Sequence, residues 1–174
     1  MSSKKQKSDV GRPKKSSYLP KKIISGGQTG VDRGALDTAI ALGIEHGGWC
    51  PAGRLSEDGT IPSRYELTET DSPDYPARTK QNVIDSDATL ILYERKLKGG
   101  TLLTQRLCKT NSVKHHSVRL DHDTDTKLAE AIEQAQSWLN KTKPTVLNIA
   151  GPRESNYPGI EARSMQFLLK VFAS

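Results

Sequence analysis

A short apolar run, Lys22-Ile23-Ile24-Ser25, leads into Gly26-Gly27-Gln28-Thr29-Gly30-Val31-Asp32-Arg33, and apolar residues then recur at Ala35, Leu36, Ala39, Ile40 and Leu42. This junction constrains the fold more than any other stretch. It predicts a buried strand, a turn that needs glycine, and a helix over residues 34–42 with one buried side. It also gathers backbone N–H groups at the positive end of a helix, the arrangement that holds an anion such as phosphate. The pattern is neither the dinucleotide fingerprint with three spaced glycines nor a Walker loop, because no Lys-Ser/Thr pair follows the last glycine. Ser25, Thr29 and Asp32 can equally accept N–H groups as helix caps.

The unit recurs along the chain. A helical stretch over Tyr75–Asp87 precedes the continuous apolar run Ala88–Tyr93, which reads as a strand buried on both faces. Lys98-Gly99-Gly100-Thr101 then forms a turn before a helix through Leu103, Leu107 and Cys108. Ser117–Leu120 reads as a strand, Thr124–Leu139 as a helix, Thr145–Ala150 as a strand, Gly151–Ser155 as a turn and Ile160–Phe172 as a closing helix. Strands alternating with helices predict an α/β fold, a doubly wound, mostly parallel sheet with helices on both faces. In such folds ligands sit outside the carboxyl ends of the strands. Three glycine turns are expected at that edge: Gly26–Gly30, Gly99-Gly100-Thr101 and Gly151–Ser155, with Pro158-Gly159 at the start of the last helix.

Composition divides the chain in two. Residues 1–22 hold eight Lys and Arg against Asp9, a balance of +7, so the chain's formal charge of +6 leaves the remainder at −1. Residues 1–21 therefore read as a disordered basic tail, rich in Lys and Ser and unable to bury apolar area, and residues 22–174 as a single domain. Within the tail, Gly11-Arg12-Pro13-Lys14-Lys15 could contact nucleic acid, although a solubilising arm is the favoured account of it. No apolar stretch approaches the ~20 residues of a membrane span, and no signal-peptide core follows the basic start, which gives a cytoplasmic expectation. Cys50 and Cys108 stand alone and suggest no disulfide framework. His46 and Cys50 are four apart, but Gly47-Gly48 between them makes a shared helical face for a metal unfavourable. Residues 49–75 are rich in turn formers and lack helical period, an irregular excursion of the kind that often carries function.

Taken together, Ser25–Arg33, Gly48-Trp49-Cys50-Pro51, Glu57-Asp58-Gly59-Thr60-Ile61-Pro62, Asn82–Asp87, Gly99-Gly100-Thr101 and Asn148–Ser155 resemble the molybdenum cofactor carrier family, in order and spacing over nearly all of residues 22–172. The resemblance implies a Rossmann-like fold related to the lysine-decarboxylase-like, cytokinin-activating phosphoribohydrolase group, assembling as homodimers or tetramers. It implies a non-catalytic protein that holds molybdenum cofactor (molybdopterin), a phosphorylated pterin dithiolene, and shields it from oxidation. The chain departs from the family pattern at Lys80, at His115-His116 and in Gly159–Arg163, and the basic tail is extra.

For such a ligand the expected binding residues are the glycine turns and their neighbours: Gly26, Gly27, Gln28, Thr29, Gly30 and Asp32, then Gly99, Gly100 and Thr101, with Gly151 and Glu154. Backbone N–H groups of Gly27, Thr29, Gly30, Gly100 and Thr101 suit a phosphate. Arg33, Arg54 and Arg153 would add charge-assisted bonds, and Asn148 and Ser155 could meet a ring edge. The competing expectation is catalysis of N-glycosidic hydrolysis on a ribose phosphate, with Glu154, Glu161 and Arg163 as candidate groups. A nucleotide-sensing module using the same cleft is a third.

Overall fold

The computed structural model describes residues 17–173. Its elements follow in the order β1 (Lys22–Ile24), α1 (Val31–Leu42), β2 (Glu45–Gly47), β3 (Trp49–Cys50), β4 (Leu55–Ser56), β5 (Gly59–Thr60), β6 (Thr68–Glu69), α2 (Tyr75–Ile84), β7 (Ala88–Tyr93), α3 (Gly99–Thr110), β8 (Lys114–Arg119), α4 (Asp125–Thr142), β9 (Val146–Ala150) and α5 (Ile160–Phe172). Five strands form one parallel sheet in the order β2-β1-β9-β7-β8. The doubly wound fold expected from the alternation is the one observed.

Side-chain alternation in the strands assigns the two faces. Ile23, Leu90, Leu92, Leu147 and Ile149 pack into one apolar cluster with Val31 and Ala35 of α1, Ala131 and Ala135 of α4, and Phe167 and Leu168 of α5. Each such buried Leu or Phe contributes about 1.5–3 kcal/mol, so α1, α4 and α5 are held as one layer. The helices α2 and α3 pack against each other over the other face. There the strands present polar groups: Asn148 of β9 donates its Nδ2–H to Thr89 Oγ1 of β7 at 3.2 Å, both side chains buried.

The strand order carries a further regularity. Counted from the chain's start, the sheet reads 2-1-5-3-4; counted from β9, as though the chain began there, it reads 3-2-1-4-5, the order of a Rossmann half with its extensions. Chain ends in the described region are correspondingly close: Ser17 Oγ donates to the Val171 carbonyl at 2.6 Å. A permutant opened between Lys143 and Pro144, with Ala173 joined to Ser17 by a short Gly-Ser linker, is expected to fold cooperatively. Its melting temperature, followed by circular dichroism, should fall by less than about 10 °C. Failure to fold would mean that the β9–α5 unit depends on entering last.

Several boundaries differ from the sequence expectation. Residues 17–21 are not part of a disordered tail: besides the Ser17 bond, Tyr18 donates its hydroxyl to the Pro144 carbonyl at 3.1 Å and Lys21 N–H donates to Thr145 O at 3.0 Å. The rest of the basic tail, with Gly11–Lys15, lies outside the described residues. Strand β2 was not expected, because Glu45-His46-Gly47 has no apolar run; it exists as the edge partner of β1. The excursion after β2 is built of two small ladders, β3 with β6 and β4 with β5. Gly99-Gly100-Thr101 is the first turn of α3 rather than a turn preceding it. No described helix is long and apolar enough to cross a membrane.

Candidate functional site

A cleft of about 720 Å³ opens at the carboxyl end of the sheet, bounded by α2, the start of α3, the end of β9 and the loop after it. Of the residues expected from sequence, Gly26, Gln28, Asp32, Gly99, Gly100, Thr101, Asn148, Gly151, Arg153 and Ser155 line it; Gly27, Thr29, Gly30, Arg33, Arg54 and Glu154 do not. The three glycine turns thus converge, but their roles differ from the expectation.

The loop before α1 is closed on itself. Gln28 N–H donates to Asp32 Oδ2 (3.2 Å), Thr29 N–H to Gln28 Oε1 (3.1 Å), Gly30 N–H to Glu161 Oε2 (3.4 Å) and Val31 N–H to the Pro152 carbonyl (3.2 Å). The amides expected to hold phosphate at Thr29 and Gly30 therefore already have protein acceptors. Gly27 is roofed by Leu67 and Ile61, which a Cβ there would meet at 2.5 and 3.1 Å. Asp32 does not cap α1 but reaches back to tether the loop, and it receives Arg78 Nη1 at 3.3 Å. Burial drives the Asp32 carboxyl above its ordinary value, against the pull of Arg78.

The arginines divide likewise. Arg33 forms a bidentate pair with Asp58 at 2.6 and 2.8 Å and donates its Nε–H to the Gly27 carbonyl, which occupies its fork. The Arg33 hydrogen bonds hold the Asp58 carboxyl down to about 2. Arg54 ties the excursion together through the carbonyls of Ile61, Pro62, Tyr65 and Leu67. Both are structural clamps. Arg153 stands in the cleft, its side chain 36 % exposed, with only a long 3.7 Å approach to Glu57.

Glu57 links three segments, accepting from Thr29 Oγ1, from the Ser155 hydroxyl and from Ser155 N–H at 3.1 Å. Burial acts to raise its carboxyl, but these donors together hold it below the ordinary value. Glu154 receives the N–H groups of Gly159 and Glu161 at the start of α5, and Glu161 is engaged by Gly30. Arg163 pairs with Glu94 at 2.7 Å. The groups considered for hydrolysis thus lie outside the main cleft.

What remains open to a ligand is the start of α3. Lys98 gives no side-chain cap, and among the described residues the N–H groups of Gly99, Gly100 and Thr101 meet no acceptor. These orphan donors sit at the positive end of a 12-residue helix. Four charged side chains line the cleft, Asp32, Arg78, Lys98 and Arg153. The first two neutralise each other, leaving Lys98 and Arg153 as net positive charge. Gln28 supplies a second orphan: its Oε1 is fixed by Thr29 and Glu57 N–H, so its Nε2 is turned elsewhere and, in a residue only 4 % exposed, finds no partner among the described residues. A buried donor left so costs about 1–3 kcal/mol, which an acceptor on a ligand would offset.

Sequence reasoning missed Arg78 and Tyr75. Arg78 reaches across from α2 to donate to the Gly26 carbonyl at 2.6 Å, and both its guanidinium and that of Arg153 lie over the Tyr75 ring, at 5.5 and 5.2 Å. The available signal was a polar stripe, Tyr75, Arg78, Thr79 and Asn82, at helical spacing on the side of α2 that faces the cleft.

Comparison with known proteins agrees with this fold. A crystal structure of a protein from Syntrophus aciditrophicus SB, described as "Putative molybdenum carrier protein", is 42% identical to this chain with a TM-score of 0.84, covering 91% of this chain and 98% of that one. A search of curated proteins finds no match. A model of the circularly permutated YpsA SLOG family matches residues 23–172. That description fits a sheet whose Rossmann order is restored by counting from β9, and the chain belongs to the circularly permutated YpsA SLOG family.

Proposed function

We propose that this protein is a carrier-type binder of molybdenum cofactor, holding a phosphorylated pterin in the cleft between α2 and α3. The observation that carries the reading is the uncapped start of α3 beside Lys98 and Arg153, where among the described residues no protein acceptor meets the amides of Gly99, Gly100 and Thr101. The 42% identical neighbour bears the carrier description. Amides of Gly99, Gly100 and Thr101 would take the phosphate. The orphaned Gln28 Nε2 and the side chain of Asn148 would meet acceptors at a ring edge, and Tyr75 with its two guanidinium groups would supply a flat wall. A carrier needs only this: donors for the phosphate, a polar slot for the ring, and cover against water and oxygen.

The direct test is native mass spectrometry of freshly purified protein, with extracts assayed for molybdenum and pterin fluorescence; one pterin per chain with molybdenum is expected. Gly100→Asp separates binding from folding. A Cβ at Gly100 meets no atom within 4 Å, so the side chain fits. An acid in the first turn of α3 is expected to raise stability by about 0.5–1 kcal/mol, while its charge repels the phosphate and weakens pterin binding at least tenfold. Unchanged binding in this variant would remove the α3 start from the site.

A further inference from the structure

We infer that the cleft continues into a second compartment that takes a further ring and its phosphate, so that the ligand is of the pyrophosphate-linked dinucleotide class; this rests on the reading of the main cleft above. A basin of about 510 Å³ lies on the other side of Lys98 and Asn156, which line both spaces. It is walled by the loop after β7, Glu94-Arg95-Lys96, and by Tyr157, Pro158 and Arg163 at the start of α5. The main cleft opens on the α2/α3 side of the sheet and this basin on the α5 side. A ligand occupying both crosses the carboxyl end of β7 beside β9, where the strand order reverses and where doubly wound sheets receive extended ligands.

The chemistry of the basin is specific. Its one carboxylate, Glu94, is buried and held by Arg163 at 2.7 Å, while Arg95, Lys96 and Lys98 form no ion pair among the described residues. The backbone that presents Arg95 is fixed, its N–H donating to Asp121 Oδ1 at 3.0 Å. Tyr157 offers an aromatic face with Lys98 Nζ 5.2 Å from its centre, a place for a stacked ring beside an anion. Lys98 stands at the junction, next to the open amides of α3, where a bridging diphosphate would lie. One phosphate and one ring in the main cleft would leave Arg95 and Lys96 without a role.

Isothermal titration of the full-length protein with GMP and with P1,P2-di(guanosine-5′) diphosphate tests this, guanine having the same aminopyrimidinone edge as a pterin. The dinucleotide is expected to bind at least tenfold tighter than GMP. That gain should vanish both in the double variant Arg95→Asn, Lys96→Gln and in Tyr157→Leu, while GMP affinity stays unchanged. GMP binding with no gain for the dinucleotide, or a gain that survives in both variants, overturns the second compartment and leaves the main cleft intact. Absence of binding by either probe overturns the reading of the main cleft, and the second compartment with it.

Discussion

Arg78→Ala is expected to destabilise the protein by about 3–5 kcal/mol in urea unfolding at neutral pH, because it leaves the buried Asp32 carboxylate without its cation. The same change removes the donor to the Gly26 carbonyl that pins the glycine loop to α2. The effect carries a pH signature, because Asp32's own contribution to stability varies with pH in the sense opposite to that of a carboxyl in an exposed salt bridge. Burial already raises the Asp32 carboxyl above its ordinary 3.8, and Arg78 opposes that rise, so loss of Arg78 raises it further. A carboxyl with a raised folded value holds its proton more tightly in the folded state. Stability is therefore fully present below the unfolded value and is lost as pH rises through the folded one. The gap between Arg78→Ala and the parent protein should narrow on acidification from neutral pH. Adding Asp32→Asn to Arg78→Ala should recover part of the loss, since the uncompensated charge is gone. A loss below 1 kcal/mol, or a gap that does not change with pH, would show that the pair is not what holds the loop.

This pair also shows where the sequence was legible and where it was not. Ala88–Tyr93 and Ile160–Phe172 could be read to the residue, because a continuous apolar run and a 3.6-residue apolar spacing leave one way to bury each. Glu45-His46-Gly47 could not, because an edge strand with polar side chains is defined by the partner it pairs with. Gly99-Gly100 read as a turn because glycine is a poor helix former; at the first turn of α3 the same residues cost little and leave the amides accessible. Convergence of the glycine turns at one sheet edge followed from the βα alternation. Which amides stay open did not, because the acceptor that occupies Gly30 N–H comes from Glu161, 131 positions away. Arg33 and Arg54 read as free cations, yet Asp58 and the Gly27 carbonyl hold the first and four backbone carbonyls hold the second. Arg78 went unnoticed for the converse reason: its neighbours Gly26 and Asp32 lie far back in the chain.

Gly30 is the residue at which packing and ligand binding are most easily confused, and Gly30→Ala separates them. Its backbone has φ 84° and ψ −131°, a conformation essentially restricted to glycine. A Cβ there would lie 2.4 Å from the Pro152 carbonyl oxygen, 2.7 Å from Glu154 N and 2.8 Å from the Arg153 carbonyl carbon. All three are backbone atoms of the turn between β9 and α5, so no side-chain rotation relieves the overlap. Backbone strain and overpacking together are expected to cost about 3–5 kcal/mol, lowering the melting temperature by about 10 °C or more. At Gly99, by contrast, φ is +53° but a Cβ would meet nothing within 4 Å, so Gly99→Ala should cost only about 1–2 kcal/mol. If Gly30→Ala instead melted like the parent protein and lost only its ligand, the amide of Gly30 would be a ligand contact and the α1 loop, not the α3 start, would be the anion cradle. A large loss of stability, with binding retained in whatever fraction folds, assigns Gly30 to the seam where the chain's first helix meets the turn after its last strand.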